Sequence, residues 1–146
     1  MRALDAVRRA NMPGPPENSV RFRVACLGTV LVSIASCASV DEVSRPTAVA
    51  AMVLVSGGMF FSHLTRTRPP GWIKVVVAAG AIAAFVWFFH SLTSAVVITT
   101  IDSPLGLLLI SVLVVHSFHV PSRRDLLFSL AASAGLMAVA GAQATT

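Results

Sequence analysis

Charge is what this sequence has least of. Charged residues make up 12% of its 146 residues, while hydrophobic residues make up 55%. Soluble domains average about 25% charged. The few cations are clustered: Lys and Arg stand at 2, 8, 9, 21, 23, 45, 66, 68, 74, 123 and 124, with nearly charge-free stretches between them. That pattern argues against a soluble enzyme and reads as repeated membrane spans. Cysteine is scarce too. Cys26 and Cys37 both lie in the first apolar run. They sit about three helical turns apart on one face, too far along the axis to pair with each other, and they say nothing about redox compartment. Catalytic signatures are also missing. There is no HExxH, no glycine-rich phosphate loop and no Ser-His-Asp set.

The net charge of +5 raises the question of nucleic acid. The basic residues flank apolar runs rather than forming a stripe on a folded surface, so positive-inside sorting accounts for them without a nucleic-acid partner.

The apolar runs predict an all-α polytopic bundle of about five spans, near residues 22–40, 47–64, 72–89, 104–120 and 126–142. Residues 1–20, with Pro13, Pro15 and Pro16, read as a flexible cytoplasmic tail, and residues 21–146 as the bundle. MRALDAVRRA has the composition of a short interfacial helix, too short to be stable alone. Each run has roughly 17–19 residues, which at about 1.5 Å per residue nearly covers a hydrocarbon core of about 30 Å. Backbone groups cannot stay unpaired in lipid, so the runs should be helices. A membrane barrel would need a period-2 alternation, and none is present. The connector 90–103 carries only Asp102 as a charge, and its VVITTI segment reads as a short strand or a re-entrant piece.

Orientation follows from the cations. Ten of the Lys and Arg residues fall on one side and only Arg45 on the other. That places the N-terminus in the cytoplasm and the C-terminus outside, in the cell (inner or plasma) membrane. Lys74 snorkels to the near interface. Trp72, Phe60 and Phe61 near the inner level, with Trp87, Phe88 and Phe89 near the outer, form an aromatic belt. In the last span Ala134, Ala138 and Ala142 repeat every four residues and Ala131 precedes Gly135 by four; AAGAIAA in span three is similar. Two readings stand: close helix packing, or simple alanine abundance.

The segment FHVPSRRDLLFSLA holds the densest cluster of charges between two spans. Pro121 stops span four, and Ser122 is placed to cap span five. Arg123 and Arg124 anchor the turn in the cytoplasm. Asp125 sits in the first turn, where it faces the positive end of the helix dipole and is within reach of a neighbouring arginine. Arg123, Arg124, Asp125 and Leu126 are therefore the candidate topology and packing motif.

Other chemistry is thin. His116 and His119 share a face at the i, i+3 spacing of a metal pair, but no third ligand is near in sequence, and one turn cannot bracket a haem. The expectation is no metal and no cofactor, with interfacial, hydrogen-bonding histidines. Thr29, Ser33, Ser36 and Ser39 give span one a modest polar face, as a pore lining would need; serines bonded within their own helix are the alternative. Ile34-Ala35-Ser36-Cys37 loosely fits a lipoprotein cleavage box, against which stand the four further spans.

Residues 114–142 resemble the N-terminal membrane region of TgpA-type transglutaminase-like proteins. The resemblance lies in a span end, a basic Arg123-Arg124-Asp125-Leu126 turn and the next span, with a Val-His-Ser-Phe-His-Val-Pro lead-in similar to actinobacterial members. Upstream, from about residue 20, the likeness is one of layout. The resemblance implies an anchor bundle carrying an outward transglutaminase-like domain with a Cys-His-Asp triad, and an association with MoxR-type ATPases. No residues here match that triad. The expectation is thus a non-catalytic anchor module, a truncated copy, split-gene half or fragment, whose partners are the lipid bilayer and an outward domain or other membrane proteins. The alternative is a small oligomeric channel or transporter subunit.

Overall fold

A computed structural model describes residues 18–41, 43–65, 71–94, 102–120 and 122–145. The expectations for the tail 1–17, the basic turn 66–70, VVITTI and Pro121 lie outside these residues. The described chain forms five helices: α1 (Val20–Ser39), α2 (Arg45–Leu64), α3 (Gly71–Ser94), α4 (Asp102–Ser117) and α5 (Arg123–Ala144). The protein is an all-α helical membrane bundle. Four helices are long and apolar enough to cross a membrane, and α4 is shorter.

Local chemistry starts three of the helices on a serine. Ser19 Oγ accepts from Phe22 N at 3.3 Å, Ser44 Oγ from Thr47 N at 3.4 Å, and Ser122 Oγ from Asp125 N at 3.4 Å. Each hydroxyl takes one of the amides that a helix N-terminus leaves without a partner. Pro46 in the first turn of α2 adds a φ already set for helix. After α1 the chain turns through Asp41 at φ 56°, a left-handed conformation that Asp tolerates better than most residues.

Packing follows a seven-residue rhythm. The buried positions of α5 are Leu126, Ser129, Ser133, Leu136 and Ala140, spaced by alternating threes and fours. Those of α1 are Arg23, Cys26, Val30, Ser33, Ile34 and Cys37. Such a seam lets two helices stay in register along their length. The two pack parallel: Arg123 lies over the Phe22 ring at 5.4 Å near their starts, and Cys37 Sγ, near the end of α1, reaches the Leu136 carbonyl in the second half of α5 at 3.6 Å.

The helices α1, α2, α4 and α5 close a ring, each packing on the next, while α3 packs chiefly on the outside of α4. From residue 104 to 120, no residue of α4 or the turn after it is exposed. The shortest helix is therefore the most enclosed. Its opposite is α3, whose Val75, Ile82, Val86 and Phe89 are all exposed. A helix apolar all round with so little buried is stable only where its surroundings are apolar too.

Two boundaries differ from the sequence expectation, and one open question is answered. Span three runs on to Ser94 rather than ending near 89. In its polar tail Ser91 Oγ donates to Trp87 O and Thr93 Oγ1 to His90 O, at 2.9 Å each, so these hydroxyls are satisfied within the helix. Span four ends at Ser117, three residues before 120. The alanine stripe of span five does not pack: Ala131, Ala134, Gly135, Ala138 and Ala142 are exposed, and the seam runs through the serines and leucines instead.

Candidate functional site: the corner between α4 and α5

Alternating helix directions bring the starts of α1, α3 and α5 together with the ends of α2 and α4. Arg21, Arg23, Lys74, Arg123 and Arg124 therefore share one end of the bundle, and Arg45 lies at the other. At the centre of the basic end, residues 117–126 form a corner.

Ser122 and Asp125 make a reciprocal capping box there. The Asp125 carboxylate accepts from Ser122 N at 3.0 Å and from Ser122 Oγ at 2.7 Å. This is the shorter-armed Asp version of the usual Ser-x-x-Glu arrangement. Ser122 therefore holds one oxygen of the Asp125 carboxylate. Leu126 is fully buried and packs with Cys26, Met59 and Val120. Arg123 and Arg124 are exposed, and Arg123 stacks over Phe22. Of the four motif residues, Leu126 and Asp125 hold the corner from inside, and the arginines stand at its surface.

Contacts that the sequence did not foretell clamp the other side. Ser62, near the end of α2, accepts a hydrogen bond from Val120 N at 2.8 Å in a buried site. Beneath it Gly58 brings α2 against Ser117 and Phe118: a Cβ on Gly58 would run into Ser117 Oγ. The Phe61 and Phe118 rings meet at 6.5 Å.

The two histidines part company. His116 Nε2 lies 3.2 Å from the Asp125 carbonyl; since a carbonyl only accepts, that bond requires the proton on Nε2. Its ring meets Phe128 edge-on at 4.8 Å. His119 lies beyond the end of α4, in the corner. Burial pushes its imidazole below the ordinary range, against the pull of Asp125 upward; Lys74 and His116 add to the lowering. No cluster of three or more His, Cys, Asp or Glu residues able to hold a metal occurs among the described residues.

The polar face of α1 turns inward on its own backbone. Thr29 Oγ1 donates to Ala25 O, Ser33 Oγ to Val30 O, Ser36 Oγ to Val32 O and Ser39 Oγ to Ser36 O, all within 2.7–3.0 Å. Cys37, the lipoprotein-box cysteine, is fully buried on the α5 seam.

No protein-family model matches the chain, and no curated protein or solved structure is significantly similar to it.

Proposed function

We propose that the chain is a non-catalytic membrane module of the cell membrane, N-terminus in and C-terminus out, whose work is to anchor and hold. The observation that carries this reading is how the bundle uses its polar groups. The hydroxyls of α1 bond within their own helix, Ser122 and Asp125 cap α5, and Ser62 holds the corner. These groups secure helix ends and seams. The concentration of cations at one end supports the orientation. The likeness of the Arg123–Leu126 turn to TgpA-type anchors makes an outward transglutaminase-like domain the natural cargo.

Topology reporters test the orientation. Fusions after residues 44 and 144 should report the outside, and fusions after 65 and 120 the cytoplasm. Reversing both Arg123 and Arg124 to glutamate should disturb insertion of α5, moving the signal of the reporter after 144. An unchanged pattern would refute the anchoring role of the arginines. The cargo is tested by the size of the product in native membranes: a band several times larger than 15.3 kDa carries the anchor reading, and a band at that size removes it. The channel alternative needs water along Thr29, Ser33 and Ser36. A cysteine at Ser33, in a background without Cys26 and Cys37, should stay unreactive to a charged thiol reagent; labelling there would revive the pore.

A further inference from the structure

A groove of about 240 Å³ opens between α1 and α2 at the basic end. Arg23, Ser56, His63, Val24, Met59 and Phe60 are among its lining residues. Arg23 stands in the first turn of α1 and His63 in the last turn of α2. Both therefore lie where a membrane's headgroups meet the ends of the spans. Arg23 is only 6% exposed, whereas Val24 and Phe60 are 61% and 66% exposed. The cation thus sits on the groove's floor while its apolar walls face outward, and the groove opens sideways towards lipid. Among the described residues, no acidic side chain lines it.

We propose that this groove binds one anionic phospholipid, its phosphate at Arg23 and His63 and the start of an acyl chain along Val24, Met59 and Phe60. The guanidinium fork matches phosphate oxygens, and basic pockets between spanning helices are the usual form of a headgroup site. The size fits as well: the groove is below the roughly 300–1,000 Å³ of pockets that enclose whole small molecules, so it takes a headgroup and the first methylenes and leaves the rest in the bilayer. Ser56, two turns deeper on α2, gives its hydroxyl to Met52 O and presents no free donor to the chain. The inference rests on the bundle being in a membrane, and on neither its orientation nor its cargo.

The test is a lipid titration of the full chain in detergent, read by native mass spectrometry, with phosphatidylglycerol and phosphatidylcholine of identical acyl chains. One phosphatidylglycerol should be retained at least tenfold more tightly than phosphatidylcholine. Val24→Trp, which fills the groove from an exposed position, and His63→Ala should each cut that preference at least fivefold. Arg23→Gln should abolish it; if that variant does not fold, the other two carry the test. Arg45→Gln, at the opposite end, should leave it unchanged. Equal affinity for the two lipids overturns the proposal, as does a preference that survives Val24→Trp and His63→Ala, or inorganic phosphate competing at the lipid's own concentration. A chain that does not enter liposomes at all would instead overturn the membrane reading.

Discussion

Replacing Ser62 with alanine should destabilise the bundle by about 1–2 kcal/mol, far more than one hydroxyl on a membrane helix ordinarily contributes. The reason lies in what Ser62 bonds. Val120 is outside any helix, so its N–H has no backbone carbonyl one turn away. Its bond is the 2.8 Å contact to Ser62 Oγ, and both residues are almost completely buried. Removing the acceptor strands a donor in a dry site, which costs about 1–3 kcal/mol. Interhelical hydrogen bonds measured in membranes average nearer 0.6 kcal/mol and reach about 1.7, because the unfolded state finds other partners. The expected value sits where those ranges meet. Ser56→Ala is the matched control: its hydroxyl bonds Met52 O four residues back, and that carbonyl keeps its helical partner. The control should cost less than about 0.5 kcal/mol. Ser62→Thr should recover part of the loss. Equilibrium unfolding in mixed micelles with increasing SDS, followed by far-UV circular dichroism, measures all three. If Ser62→Ala and Ser56→Ala fall within error of each other, the argument that this bond closes the corner is wrong.

Further expectations follow from the same corner, and the same unfolding assay reads them. Gly58→Ala should destabilise by about 1–3 kcal/mol through overpacking, because the new methyl meets Ser117 and lies 3.1 Å from Phe118 Cδ2; Gly57→Ala, with nothing within 4 Å, should be neutral or gain up to about 1 kcal/mol of helix propensity. Ser122→Ala removes the capping box and should cost about 1 kcal/mol, and Asp125→Asn, which keeps an acceptor but loses the charge, should cost less. His119 predicts a pH dependence. Its pKa is lowered in the folded state, so above about pH 6.5 both states hold it neutral and it contributes no slope. As pH falls through about 6.5 the unfolded chain takes up the proton first, and stability drops until the folded imidazole titrates too. His119→Gln should flatten that acid limb, and an unchanged limb would refute the assignment.

How much of this was legible depends on how far apart the interacting residues stand in sequence. The Ser122–Asp125 cap spans three positions, and its chemistry needs only that spacing; it could be read directly. The spans were legible because composition alone separates them. The clamp was not. Ser62 and Val120 are 58 residues apart, and nothing about a serine near a helix end says which distant amide it will hold. The end of α3 was misjudged for a related reason. His90, Ser91 and Thr93 look like a polar connector, yet the helix runs through them and both hydroxyls fold back on the preceding turn, which hides their polarity.

The inward face of α5 was hidden by a deeper ambiguity. In water, leucine points in and alanine is indifferent, so hydrophobic pattern marks the core. In lipid the exterior is as apolar as the interior, and that contrast vanishes. The regular alanine spacing then looks like the packing face, although Ala131, Gly135 and Ala138 point away from the bundle. What does separate the faces is polarity of a modest kind. Ser129 and Ser133 lie on the seam with Leu126, Leu136 and Ala140, and opposite them stand Cys26, Ser33 and Cys37. Small serines whose hydroxyls bond their own helix, and a Cys37 thiol that reaches the Leu136 carbonyl across the seam, let two backbones approach closely. The same logic explains why α4 can be short. At about 24 Å, from 1.5 Å per residue, it is shorter than a hydrocarbon core, and the chain after it leaves the helix in the buried corner at the basic end of the bundle. Non-helical backbone buried away from water needs partners for its polar groups. Here α2 supplies Ser62 for the buried Val120 amide, Gly58 makes the room, and Leu126 closes the remaining side. The central helix is short because its neighbours complete it.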